Sequence, residues 1–158
     1  MKKFLSSILA LATGGLTFLW LSLAHSSQEI LGETITTNGW DYISADPLFE
    51  VEGLGLYKVG AIGMIVLASL LIIMGVILLL NSLGIIKTDL KLNMFNNFLL
   101  LVNAVFVVLA LIGMFIIIGE AEVSVGIGLW LALAVGIVAC VLGFLFGKDA
   151  KSKKKSKR

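Results

Sequence analysis

One cysteine, one proline and one histidine occur among 158 residues, and each scarcity closes a class of chemistry. Cys140 lies alone inside an apolar run, which excludes an intrachain disulfide and any thiol oxidoreductase that relays electrons through cysteine pairs. It reads as a small packing residue. His25 has no second histidine with which one chain could hold a haem from both sides, and it reads as an interfacial polar residue. No Asn-x-Ser/Thr acceptor is present. Ionisable residues are missing from the centres of the apolar runs. Proton-coupled transport relies on such groups, which cost several kcal/mol to hold in hydrocarbon, so it is not expected. Lipid-active catalysis needs clustered histidines, carboxylates or a nucleophile with its base near a membrane surface, and no such cluster is evident. The expectation is a protein that is not an enzyme and that uses no cofactor and no metal.

What the chain has in abundance is apolar sequence. Hydrophobic residues make up 59% of it, and they gather in four runs at 4–24, 59–80, 95–118 and 123–147. Each is long enough for a hydrocarbon core about 30 Å thick. Backbone amides in lipid must be satisfied internally, and four strands cannot close a barrel, so the runs are read as helices. The expected fold is an all-α integral membrane protein, a four-helix transmembrane bundle with helices at about 4–24, 56–80, 94–118 and 123–147. Residues 1–147 form one membrane domain, 25–55 an outer loop, and 148–158 a disordered basic tail.

Charge sets the orientation. Every basic residue except Lys58 falls before the first run, between the second and third, or after the fourth. Of ten acidic residues, only Asp89 and Asp149 share that side. The positive-inside rule then places both termini in the cytoplasm of a multi-pass protein of the cell membrane. Trp20, Tyr57 and Trp130 are assigned to the outer interface, and Phe4, Phe95, Phe98, Phe144 and Phe146 to the inner one. A rival reading takes Met1-Lys2-Lys3 and the first run as a secretory signal cut near Ser22-Leu23-Ala24. The run exceeds the usual apolar region of a signal, roughly 7–15 residues, which favours a retained helix.

Small residues mark the packing faces. Gly128, Ala132, Gly136 and Cys140 recur every four residues, and Ala139, Gly143 and Gly147 form an adjacent ridge. Helix association in lipid relies on such shape fit, so Gly128, Ala132, Gly136 and Gly143 are candidate contacts to a neighbouring helix, internal or from another subunit. Asn103 is expected to make an interhelical hydrogen bond, and Asn93, Asn96 and Asn97 to cap a helix or meet headgroups. Gly53-Leu54-Gly55-Leu56-Tyr57 resembles Gly126-Ile127-Gly128-Leu129-Trp130, which leaves a 2+2 repeat of helical hairpins as an open reading.

The outer loop carries the most individual sequence. Asn38-Gly39 suits a type I′ turn between Thr34–Thr37 and Trp40–Ile43, which predicts a small extracytoplasmic β-hairpin. That register puts Ile35, Thr37, Trp40 and Tyr42 on one face, with Ile35, Trp40 and Tyr42 as candidate anchors for a protein partner or for docking onto the bundle as a lid. Glu50, Glu52, Glu120 and Glu122 are read as a solvated acidic rim in preference to a calcium site, since no calcium-loop pattern occurs. In the tail, Lys151, Lys153, Lys154 and Lys155 are candidate contacts to an anionic inner leaflet, each contributing about 1 kcal/mol near the surface. The tail lacks the stacking aromatics of nucleic-acid binders.

A long first outer loop with strands, a short second outer loop and a charged inner tail make the chain similar in topology to the claudin-like tetraspan proteins. Their first loop carries a cysteine pair beside its tryptophan motif and this one has no cysteine, so the likeness is architectural and carries no function. Three functions follow as expectations. The first is a non-catalytic membrane subunit or scaffold that binds another membrane protein or its own copies. The second is an oligomeric channel or passive transporter, and the third a holin-like or immunity protein.

Overall fold

The computed structural model describes residues 2–30, 32–45, 52–87, 91–121 and 124–155. In chain order the elements are α1 (Lys2–Ser22), β1 (Ala24–Ile30), β2 (Glu33–Asn38), α2 (Gly39–Ser44), α3 (Leu54–Ser82), α4 (Leu92–Ala121), β3 (Ser124–Val125) and α5 (Ile127–Lys155). Three helical stretches are long and apolar enough to cross a membrane: Phe4–Ser22, Leu54–Ser82 and Leu92–Gly119. The apolar part of α5, Ile127–Gly143, is shorter. At 1.5 Å per residue, 29 residues give α3 a length of about 44 Å, more than a hydrocarbon core requires.

The outward faces of these helices are apolar. Val59, Ile62, Val66, Leu70 and Ile73 follow one another along α3, and Phe98, Leu101, Val105, Val108 and Ile112 along α4, all exposed. A continuous band of this kind needs lipid or protein against it. Inside, α1 packs on α3, α3 on α4, α4 on α5, and α5 back on α1, so the four long helices close a ring. Across its diagonal α1 and α4 touch only slightly. Two core clusters fill the ring. One, at the sheet end, is built around Trp20, Tyr57, Met64, Met114 and Leu129; the other, toward the far end, around Ala10, Leu71, Leu78, Leu99 and Leu100.

The closest helix approaches lie on α3. A β-carbon at Gly60 would strike the backbone of Ala110, and one at Gly113 the backbone of Tyr57. On its other side α3 meets α1, where Gly14 rests on Ala68 and Ile72, and Gly75 on Leu11. The far end of α3 is closed by a Schellman motif. Gly84 is left-handed (φ 76°), its N–H bonds to the Asn81 carbonyl at 3.2 Å, and the Ile85 N–H bonds to the Leu80 carbonyl at 3.0 Å.

Three sequence expectations need correction. The hairpin exists, but its strands are β1 and β2, joined around Gly32 (φ 85°), and Asn38-Gly39 is not its turn. Asn38 has φ −95° and ψ 175°, extended backbone rather than the positive φ of a type I′ turn. Its side chain accepts from the N–H groups of Trp40 and Asp41, while its own N–H donates to Asp41. This capping box starts α2 at Gly39 and removes Trp40–Ile43 from the sheet. Second, the fourth helix begins at Ile127, because Ser124–Val125 pairs with β1 and Gly126 donates to the His25 carbonyl at 2.8 Å. Third, α5 runs on through Lys155, where an unstructured tail is expected; alanine and lysine are good helix formers and no breaker follows Gly147.

The sheet therefore draws on both loops at one end of the bundle. Its order is β2-β1-β3, with β1 central and antiparallel to both neighbours.

Candidate functional site

Between Ala24 and Ser26 the β1–β2 register slips, so that Ala24 faces Asn38, Ser26 faces Thr37, and His25 is the extra residue of a bulge. A regular strand would send His25 and Ser26 to opposite faces, whereas the bulge lets both turn inward, and both are buried. Below them stand Trp20 from α1 and Tyr57 from α3; above them lies α2.

The His25 ring packs 4.6 Å from Trp20 and edge-on to Tyr57 at 6.0 Å, and Tyr42 of α2 adds its ring 5.5 Å from Tyr57. The Tyr42 hydroxyl and Ser26 Oγ are hydrogen-bonded at 2.6 Å, which ties α2 to the central strand. Gly39 covers the cluster, and a β-carbon there would lie 2.9 Å from the Tyr57 hydroxyl. Gly128 lets α5 approach from the side, since its β-carbon would lie 3.2 Å from His25 Nδ1. Lys58 donates its ammonium to the carbonyl of Ala45, at the end of α2. The end of α1 and three segments farther along the chain, α2, α3 and α5, thus converge on one imidazole.

Polar chemistry in this cluster follows from who can donate. His25 Nδ1 lies 2.8 Å from the Leu23 carbonyl, and a carbonyl only accepts, so Nδ1 carries the proton and Nε2 presents its lone pair to the interior. His25 Nε2, the Tyr57 hydroxyl and Trp20 Nε1 are buried without a protein partner. Burial pushes the His25 pKa below its ordinary 6.5, and the bond to Leu23 opposes this less strongly. His25 is therefore neutral near neutral pH.

The anchors expected from the sequence divide here. Ile35 is 50% exposed and Trp40 39%, with the Trp40 indole donating to Ser22 Oγ at 3.4 Å. Tyr42 points inward and belongs to the cap. The edge of β2 away from β1 meets no described strand, and Glu33 to Thr36 are exposed along it.

The small-residue face of α5 is used within the chain. Gly136 lies against Val107 and Gly143 against Leu100, Ala132 is in the core, and Gly128 meets β1. Tyr57 is buried and Trp130 is 59% exposed, although the internal sequence match pairs them. Asn96 departs from its expected capping role: it is fully buried and donates to Ser6 Oγ at 3.1 Å, linking α4 to α1. Asn103 reaches the bundle centre. Glu50, Glu122 and the side chains of Glu120, Lys151, Lys153, Lys154 and Lys155 lie outside the described residues. Among the described residues no group of three or more His, Cys, Asp or Glu could hold a metal ion.

The aromatic cap escaped sequence reasoning because its members are scattered. The sequence reading puts Trp20, Tyr57 and His25 at one interface and Tyr42 on a face that docks on a partner or the bundle, without bringing the four rings together. Compared with protein-family models, curated proteins and solved structures, the chain matches none.

Proposed function

We propose that the protein is a non-catalytic, four-span membrane subunit or scaffold, with both termini cytoplasmic and its sheet on the outer face, where it binds a protein partner. The observation that carries this reading is the platform formed by the open edge of β2 with Ile35 and Trp40 beside it, where the Ser26–Tyr42 hydrogen bond ties α2 to the sheet. An unpaired edge strand is a template for strand addition, and half-exposed tryptophan is a frequent interface anchor. As the fourth span, α5 closes the ring of helices, its apolar length completed by residues beyond Gly143. The charge asymmetry supports the orientation.

A channel reading has less support, since Trp20, Met64, Leu71 and Met114 fill the ring and a pathway would have to run between subunits. The test is native mass spectrometry of the complex after gentle detergent extraction from its own membrane. A stoichiometric foreign subunit, lost on Trp40→Ala with Ile35→Asp, is the expected result. A homo-oligomer alone would overturn the proposal and favour transport, to be followed by liposome flux assays.

A further inference from the structure

Where the four long helices meet at mid-bundle there is a small cavity, lined by Thr17 and Trp20 of α1, Met64 of α3, Asn103 and Val107 of α4 and Gly136 of α5. About 10 Å³ of it is open to the centre of a water molecule, close to what one water requires. Two of its lining residues each carry a buried polar atom without a protein partner, and the two are complementary: Trp20 Nε1 can only donate and Asn103 Oδ1 can only accept. Both residues are almost fully buried, at 1% and 3% exposure. A third lining residue, Thr17, gives its hydroxyl proton to the Thr13 carbonyl at 2.9 Å, leaving the Oγ1 lone pairs for a second donor.

We propose that this cavity is a binding site for one structural water, which accepts from Trp20 Nε1 and donates to Asn103 Oδ1 and Thr17 Oγ1. Three bonds are the usual complement of a buried water. Trp20 Nε1 and Asn103 Oδ1 would otherwise cost their full desolvation in an apolar interior. The site also has a place in the architecture. Thr17 and Trp20 belong to α1 and Asn103 to α4, the diagonal pair that scarcely touch, so the water is a tie across the ring. A direct side-chain bond across the same gap would make the water unnecessary, and the test separates the two.

The full chain, labelled with 15N at its tryptophan indoles and held in lipid nanodiscs, is examined for magnetisation transfer from water. Trp20 is assigned by Trp40→Phe and Trp130→Phe, which remove exposed indoles. The expected result is a cross-peak from a long-lived water to the Trp20 indole proton, lost in Asn103→Leu while the Trp40 and Trp130 signals persist. Three results would overturn the proposal: absence of the cross-peak in the unaltered chain, its survival in Asn103→Leu, or a scalar coupling across a direct Trp20–Asn103 hydrogen bond. If Asn103→Leu does not fold, Asn103→Asp keeps an acceptor and must retain the cross-peak.

Discussion

His25 shows how a single side chain can make the cap over the sheet end of the bundle sensitive to acid. Its closed-state pKa lies below the ordinary 6.5, so as pH falls the opened cap takes up a proton before the closed one does. The stabilisation is complete above 6.5 and declines with pH below it, until the closed form also protonates. One proton limits the slope to about 1.4 kcal/mol per pH unit. The protection factors of the Ala24–Ile30 amides, corrected for intrinsic exchange, should therefore fall as pH is lowered from 7.5 to 5, and His25→Gln should abolish that fall. Glycines provide a second set of expectations. Gly113→Val should lower thermal stability in detergent by about 1–3 kcal/mol, because the obstructing atoms belong to the backbone of α3 and have nowhere to go. Gly15→Ala and Gly55→Ala, whose new methyls meet nothing within 4 Å, should melt no lower than the unaltered chain, alanine's helix propensity adding up to about 1 kcal/mol at each. The sequence points to α5 for tight packing because its glycines are regularly spaced. The contact at Gly60 and Gly113 joins two helices, and no single-helix pattern reveals such a pairing.

At the scale of elements, a four-residue stretch decides what the first loop becomes. Asn38-Gly39 between β-prone residues is a strong hairpin signal, yet Asp41 three positions on completes a capping box, and the helix start wins. Asn38→Ala should cost α2 about 1 kcal/mol, seen as faster exchange at Gly39–Ser44, and Asn38→Asp, itself a good cap, should restore it. That box was readable, since Asn-x-x-Asp stands in the sequence. β1 was not, because Ala24-His25-Ser26-Ser27-Gln28-Glu29 has little β-propensity and becomes a strand through its two partners. Ser27 opposes Ser124 across that pairing, so cysteines at both positions, in a Cys140→Ser background, should cross-link under mild oxidation and raise the melting temperature. The four long helices were legible, since long apolar runs leave the backbone no alternative in lipid, whereas α2 stands where a strand was expected. Helix ends depended on tertiary partners, as at Gly126.

For the whole molecule, the orientation proposed from charge is testable with a membrane-impermeant maleimide on intact cells. With Cys140 replaced by serine, Thr34→Cys should label from outside, and Lys87→Cys only after the membrane is opened. Both positions are exposed and lie at opposite ends of the bundle. Equal labelling of both from outside would rule out the topology.

The central place of β1 in the sheet has a consequence for how the protein is made. β1 leaves the ribosome directly after α1 and can pair at once with β2, but its other neighbour, β3, is not synthesised until α3 and α4 are complete. Contacts of such sequence separation form late, because loop closure must precede them. Until then one edge of β1 stands open and the α5 wall around His25 is missing. The sheet is thus a report on biogenesis: it closes only when nearly the whole chain has been inserted, and a partner that reads the finished platform would engage completed molecules and pass over truncated ones.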